Sequence, residues 1–249
     1  MNTDVSRPEM ILFDYGDTLV WEPVPDFPRG WRAVFQYVTE NPDGVTPEQA
    51  HQLADGLWRR FSASRSFSAS RKGGWEIHEW QQLRTVLEAL GLRASLSLSE
   101  LECVLMDHAC QSHLFPHVEE TLDSLRGLGI RTGVISNIGW SGQALARRLD
   151  KLLPGHSFEF VIASSEYGIR KPDPLIFQIA LKKARLPAAK VWFCGDSWEA
   201  DILGAFKAGL FPVWLQSSGG APPGGGDFPY LKITGWQELV SMIDRQNFS

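Results

Sequence analysis

Cysteine is scarce in this sequence. Cys103, Cys110 and Cys194 are the only three, odd in number and without a CxxC spacing, so neither a disulfide framework nor a cysteine-based zinc site is indicated. They read as small buried apolar side chains. No run approaches the ~18 consecutive apolar residues of a membrane span, and the opening MNTDVSRPEM has no apolar stretch of signal-peptide type. No membrane association is therefore expected, and a cytoplasmic protein is. A basic excess is lacking too: 24 Lys plus Arg stand against 29 Asp plus Glu, a net charge of −5, which argues against a nucleic-acid partner. His51, His78, His108, His113, His117 and His156 form no ligand pair at a recognisable spacing.

What is present suffices for a core. Hydrophobic residues make up 43% and charged residues 21% of 249, which excludes wholesale disorder and suits one large domain or a domain with an insertion. Six segments rich in β-branched or aromatic residues read as strands: MILFDY, IRTGVIS, FEFVIAS, KVWFCG, FPVWL and YLKI. Helical patterns separate them at HVEETLDSLRGLG, WSGQALARRLDKLL, PDPLIFQIALKKARL, SWEADILGAFKAG and WQELVSMID. That alternation predicts an α/β fold, a Rossmann-like parallel sheet with helices on both faces. Asp173 followed by Pro174 marks one helix start.

Residues 21–115 read differently, with amphipathic stretches such as TPEQAHQLADGLWRRF, WEIHEWQQLRTVLEALG and SELECVLMDHACQSHL and no convincing strand. They are expected to form an all-helical cap inserted after the first strand, with 1–20 and 116–249 forming the core. The insertion then hangs over the sheet edge where open α/β folds bind ligands. Within it, SASRSFSASRKGG repeats Ser62–Arg65 six residues on; six is not a helical period, so an exposed joint with solvated Arg65, Arg71 and Lys72 is expected, with contact to a substrate anion as the alternative for those three. Ser217–Gly226 reads as a solvated Gly/Pro loop. Trp21, Trp31, Trp58, Trp75 and Trp80 are expected mostly in the helical core. Trp140 either stands at the mouth of the site or packs the base of the following helix.

The chemistry concentrates at strand ends. Asp14 closes the first apolar run, ahead of Gly16, Asp17 and Thr18; Ser136 and Asn137 close VISN; Lys171 precedes a helix start in RKPDP; Asp196 closes KVWFCGD, with Ser197 and Asp201 beyond it. Singly each has a dull explanation. Jointly they place acids, a hydroxyl and a lysine at one edge of one sheet.

The four motifs FDYGDTL, VISN, RKPDP and GDSWEAD, in this order and with the helical interval after the first, resemble those of the haloacid dehalogenase superfamily, in its branch with a cap inserted after the first motif. The resemblance implies Asp14 as nucleophile toward a small phosphorylated substrate, forming an aspartyl phosphate that water hydrolyses. It implies Mg²⁺ bound by Asp14, the Gly16 carbonyl, Asp196 and Asp201, the last directly or through water. Lys171 would neutralise nucleophile and phosphoryl oxygens, while Ser136 and Asn137 donate hydrogen bonds to the group in transfer.

One position departs from the family's phosphatase pattern. The residue two beyond the nucleophile is there an Asp, which protonates the leaving group and later activates water; here it is Gly16. Three readings stay open: Asp17 substitutes, although the pleat tends to aim it away; the leaving group needs no proton; or catalysis is weak or absent, leaving a silent phosphate-binding module. Relatives without that acid add two more. Dehalogenases expel halide unprotonated, but leave Asp196 and Asp201 without a purpose. Phosphonate hydrolases use a cap lysine as a Schiff base, and Lys72 is the sole lysine of the interval. The sequence leaves substrate identity and oligomeric state open.

Overall fold

Alternating side chains explain the sheet. In the first strand Ile11 and Phe13 enter one apolar cluster while Met10 and Leu12 enter another on the opposite face. That double burial needs cover on both sides, as parallel sheets require. The structure, a computed structural model, describes residues 6–68, 76–216 and 228–245. In chain order it runs β1 (Met10–Phe13), β2 (Val20–Trp21), α1 (Phe27–Phe35), β3 (Val38–Glu40), α2 (Pro47–Ser68), α3 (Glu79–Ala89), β4 (Arg93–Ala94), α4 (Leu98–Ala109) and β5 (His113–Leu114). It continues with α5 (Val118–Gly127), β6 (Arg131–Ser136), α6 (Gly142–Leu152), β7 (Phe158–Ala163), α7 (Pro174–Ala184) and β8 (Val191–Gly195). A π-helical segment (Trp198–Leu203), α8 (Gly204–Lys207), β9 (Phe211–Leu215), β10 (Leu231–Ile233) and α9 (Trp236–Arg245) complete it.

The six expected strands form one sheet in the order β10-β9-β8-β1-β6-β7, and every pairing in it is parallel. The chain builds outward from β1 through β6 and β7, then returns to β1's other side through β8. The order therefore reverses at β1, and the C-terminal ends of β1, β6 and β8 flank the crevice this opens. The predicted helix start before α7 holds: the Asp173 side chain accepts from Leu175 N at 2.9 Å, and Pro174 occupies the first turn.

The interval after β1 packs its own apolar cluster, centred on Trp31, Val34, Leu83, Val86 and Leu105. Three expectations about it need correcting, and one helix is new. It is not strand-free: β3 pairs antiparallel with β4, and β2 with β5 where the interval leaves and rejoins the sheet. The joint expected at Ser62–Gly74 begins as helix, because α2 runs on through Ser68; Arg71 and Lys72 lie outside the described residues, as does Ser217–Gly226. Helix α1, which the sequence reading passed over, packs against α4 closely enough that a Cβ at Gly30 would lie 2.8 Å from Leu105 Cδ1. Among the tryptophans there, Trp31 is core, but Trp21 is 42% and Trp58 49% exposed; Trp75 is outside the described residues.

A buried polar knot ties the interval to the sheet side. The Arg148 guanidinium on α6 donates to Cys110 O at 3.0 Å, to Met106 O at 2.8 Å and to Ser112 Oγ, and pairs with Asp107 at 3.3 Å. Ser112 in turn donates to Glu22, which also accepts from Tyr15 Oη at 3.0 Å. Burial and the Glu22 charge hold the Tyr15 hydroxyl protonated, well above its ordinary range. Replacing Arg148 with Met would strand several buried acceptors, while Asp107 would keep its ion pair with Lys151. The Arg148→Met protein is expected to lose about 3 kcal/mol of stability in urea denaturation; a loss within experimental error would show that the knot carries no stability.

Candidate active site

Asp14, Ser136 and Asp196 all stand at or just past strand ends, on the edge where the sheet order reverses. Asp14 N donates to Cys194 O at 2.9 Å, extending the β1–β8 ladder by one residue and fixing the carboxylate against β8. The carboxylates of Asp14, Asp196 and Asp201 converge, with one ligand atom of each lying within 4.8 Å of the others. Asp201 reaches this point because the π-helical turn after β8 starts with Ser197 as N-cap, and Ser197 N donates to Asp201 Oδ2 at 3.0 Å. Gly195 is required there: a Cβ would stand 2.5 Å from Asp201 Cγ.

Lys171 sits among these acids, fully covered. Its Nζ is 2.7 Å from Asp14 Oδ1 and 2.6 Å from Asp201 Oδ1, and rests 4.9 Å from the Phe193 ring centroid. Burial pulls the ammonium down, but the two carboxylates outweigh it and hold the pKa above its ordinary value. Lys171 is placed by Asn137, whose Oδ1 accepts from Lys171 N at 2.7 Å and whose Nδ2 donates to Lys171 O at 2.9 Å. Asn137 thus spends one donor and its acceptor on orienting the lysine and keeps one Nδ2 hydrogen for a ligand. Ser136 is buried at the end of β6.

Thr18 belongs to the site, a role the motifs do not assign it. It is fully buried, and its hydroxyl lies 3.2 Å from Asp196 Oδ1 and 3.5 Å from Asp14 Oδ2. The only sequence signal was a hydroxyl four residues past Asp14, inside a turn the chain closes through Val20 N to Tyr15 O at 3.0 Å. Gly16 faces open space: a Cβ there would meet no atom within 4 Å. Asp17 is exposed and left-handed, with φ 56°, yet close enough for its charge to act on Asp196.

The electrostatics fit a cation. Burial, then the charges of Asp14 and Asp17, push the Asp196 carboxyl up to about 6. Burial also raises Asp201; Lys171 opposes this and Asp14 adds to it. Three carboxylates with one ammonium leave two negative charges in a poorly solvated cleft, a donor set of hard oxygens that suits Mg²⁺. Cys194, behind them, is held protonated well above its ordinary value by burial and then by these acids. Cys103 and Cys110 are likewise buried, as the sequence predicted. Among the described residues no histidine joins the cluster.

The haloacid dehalogenase-like hydrolase family matches residues 8–209. The chain belongs to that family. It is 28% identical over 213 residues to a phosphoglycolate phosphatase of Pseudomonas savastanoi pv. phaseolicola, covering 84% of this chain and 70% of the relative. It is 34% identical over 111 residues to haloacid dehalogenase-like hydrolase domain-containing protein 3 of Danio rerio, and there the match spans only 43% of either chain. In fold it is similar to a 2-haloacid dehalogenase from Pseudomonas syringae pv. tomato DC3000, with TM-score 0.61, 24% identity, and 96% of this chain and 99% of that one covered. Among the described residues no helix is long and apolar enough to cross a membrane.

Proposed function

We propose that the chain is a Mg²⁺-dependent phosphohydrolase acting on a small phosphorylated metabolite, with residues 21–115 as a cap over the core. The observation that carries this reading is the convergence of Asp14, Asp196 and Asp201 around a fully buried lysine. A dehalogenase works without a metal and would need at most one further acid, to activate the water that cleaves its ester. Asp14 attacks phosphorus through a carboxylate oxygen as the bond to the leaving oxygen breaks, giving an aspartyl phosphate that water then cleaves. Asp14, the Gly16 carbonyl, Asp196 and Asp201, directly or through water, would hold Mg²⁺, which when bound would supply the charge neutralisation that lets two anions meet. Lys171 offsets the charge on Asp14 and the phosphoryl oxygens. Ser136 and the free Nδ2 hydrogen of Asn137 donate to those oxygens, and Thr18 fixes the Asp14 and Asp196 rotamers.

With no acid at position 16, the enzyme favours leaving groups that depart unprotonated. Acetyl phosphate and p-nitrophenyl phosphate are expected to be hydrolysed in Mg²⁺, ahead of sugar phosphates, and to be spared by chelator. Undiminished turnover in chelator would remove the metal from the reading. Absence of turnover with every donor, together with no labelled phosphate on Asp14, would leave the silent phosphate-binding module instead.

A second expectation concerns stability. Saturating Mg²⁺ should raise Tm by about 5 °C at pH 7.5, and less below pH 6, where Asp196 takes up a proton and ligands poorly. Asp196→Asn should abolish the rise while stabilising the metal-free protein, since a buried like-charge repulsion is gone. An unchanged Mg²⁺ response in Asp196→Asn, read by differential scanning calorimetry, would contradict the assignment.

A further inference from the structure

A cavity of about 330 Å³ lies between α1, α2, α3 and the loop that follows β6. Its walls are aromatic: Phe27, Trp31, Trp58 and Trp140 line it, with Trp140 and Phe27 stacked at 26° and 6.4 Å between centroids. It adjoins the carboxylate site, because its floor includes Gly139 and Trp140, two and three residues after Asn137. Two residues of chain span at most about 8 Å. Trp140 is thus both buried and part of a wall near the site, which joins the two roles the sequence left open for it.

Among the described residues the full charges of the lining have one sign. Glu79, in the first turn of α3, faces the cavity, with its Oε2 at 3.8 Å from the position a Gly139 Cβ would take. Its backbone N is held by Gly139 O at 2.7 Å. Its carboxylate makes no hydrogen bond or ion pair among the described residues, and burial, with Glu102 behind it, pushes its pKa up to about 7. Asp55 also lines the cavity but is already paired with Arg59 at 2.7 Å. Among the described residues no lysine or arginine lines it; His51 does, with a buried Nδ1 that has no hydrogen-bond partner there. An unpaired carboxylate among tryptophan faces repels an anionic group and gains nothing from a neutral one. It suits a cation with an apolar surface, which the ring quadrupoles and the carboxylate attract together.

We infer that this cavity binds a substituted ammonium group, and that among alkyl phosphates, all slow without an acid at position 16, the enzyme prefers the phosphate ester of an amino alcohol whose ammonium end enters it. The ammonium-binding part stands alone; the substrate part rests on the phosphohydrolase reading above. In such a complex the cation ionises Glu79 and the phosphate is directed toward Asp14.

The test separates the two. Choline is titrated into the Asp14→Asn protein with tryptophan fluorescence as the readout, beside 3,3-dimethylbutan-1-ol, its neutral isostere. Choline is expected to bind saturably and about 10-fold or more tighter than the isostere, with Glu79→Gln reducing its affinity about 10-fold and leaving the isostere unaffected. Trp58→Leu, a change at a half-exposed wall, should weaken choline likewise. Equal binding of the two compounds, tighter binding of the isostere, or no saturation with choline would overturn the inference. In the unmodified enzyme with Mg²⁺, phosphocholine should be hydrolysed with a higher kcat/KM than phosphoglycolate. Choline binding without hydrolysis of any phosphate donor would sink the phosphohydrolase alone. Hydrolysis of p-nitrophenyl phosphate without choline binding would sink the ammonium site alone.

Discussion

Asp14→Asn is expected to cut Mg²⁺-dependent hydrolysis of p-nitrophenyl phosphate by at least about 10³-fold, the scale seen when a covalent nucleophile is removed. The amide is nearly isosteric: its one oxygen can still accept from Lys171 while its Nδ2 faces the Thr18 hydroxyl, which can accept as well as donate, so the fold should survive. What goes is the negative charge that makes position 14 nucleophilic and pairs with Lys171 at 2.7 Å. Lys171 then keeps only Asp201, at 2.6 Å. The measurement is kcat on protein whose circular dichroism matches the unmodified chain, with acid-quenched labelling as a second readout. Activity within 10-fold of the original would place the nucleophile elsewhere.

The second large effect runs upward. Gly16→Asp is expected to raise kcat on an alkyl phosphate such as glycerol phosphate by about 10²-fold, the low end of what a positioned general acid contributes, while changing p-nitrophenyl phosphate by only a few-fold. Position 16 can take the side chain because an added Cβ meets nothing within 4 Å. Its backbone conformation is not one that penalises a side chain either, since it lies outside the positive-φ set. The carbonyl assigned to the metal is kept. The competing account gives the proton to Asp17, one residue on. Under that account Asp17→Asn would lose about 10²-fold on alkyl phosphates and Gly16→Asp would add little. Measuring both variants on both substrates decides between them. Asp17 is exposed and held left-handed by its turn, with N donating to Val20 O at 2.7 Å, a geometry that turns its side chain out of the strand's pleat.

How much could be read before the fold was known follows from the range of each interaction. The six strands, the helices between them and the cap of α7 are written in local periodicity and local hydrogen bonding, and the sequence located them all. The same holds for the acids at strand ends: a polar residue that closes an apolar strand must stand at the sheet's edge, so Asp14, Ser136 and Asp196 were legible. The sequence misjudged features that depend on partners distant in the chain. Each strand of the β2–β5 and β3–β4 pairs is two or three residues long, too short to show a period of two. Trp21, at the end of the two-residue β2, and Trp58, on α2, look like core residues by composition and are half-exposed because tertiary packing turns both outward.

By itself, then, the sequence determined a doubly covered parallel sheet, an interruption after the first strand, and an acidic, lysine-bearing edge, since all three follow from the order of apolar and polar residues along short stretches. Only tertiary structure decided what those side chains do to one another. It closed Asn137 onto the Lys171 backbone, laid Thr18 between two carboxylates, tied Arg148 to four groups of the helical interval and left Glu79 unpaired among tryptophans. Those contacts join residues up to 178 positions apart, and no local pattern records them, because hydrogen bonding and ion pairing act over a few ångströms whatever the distance along the chain.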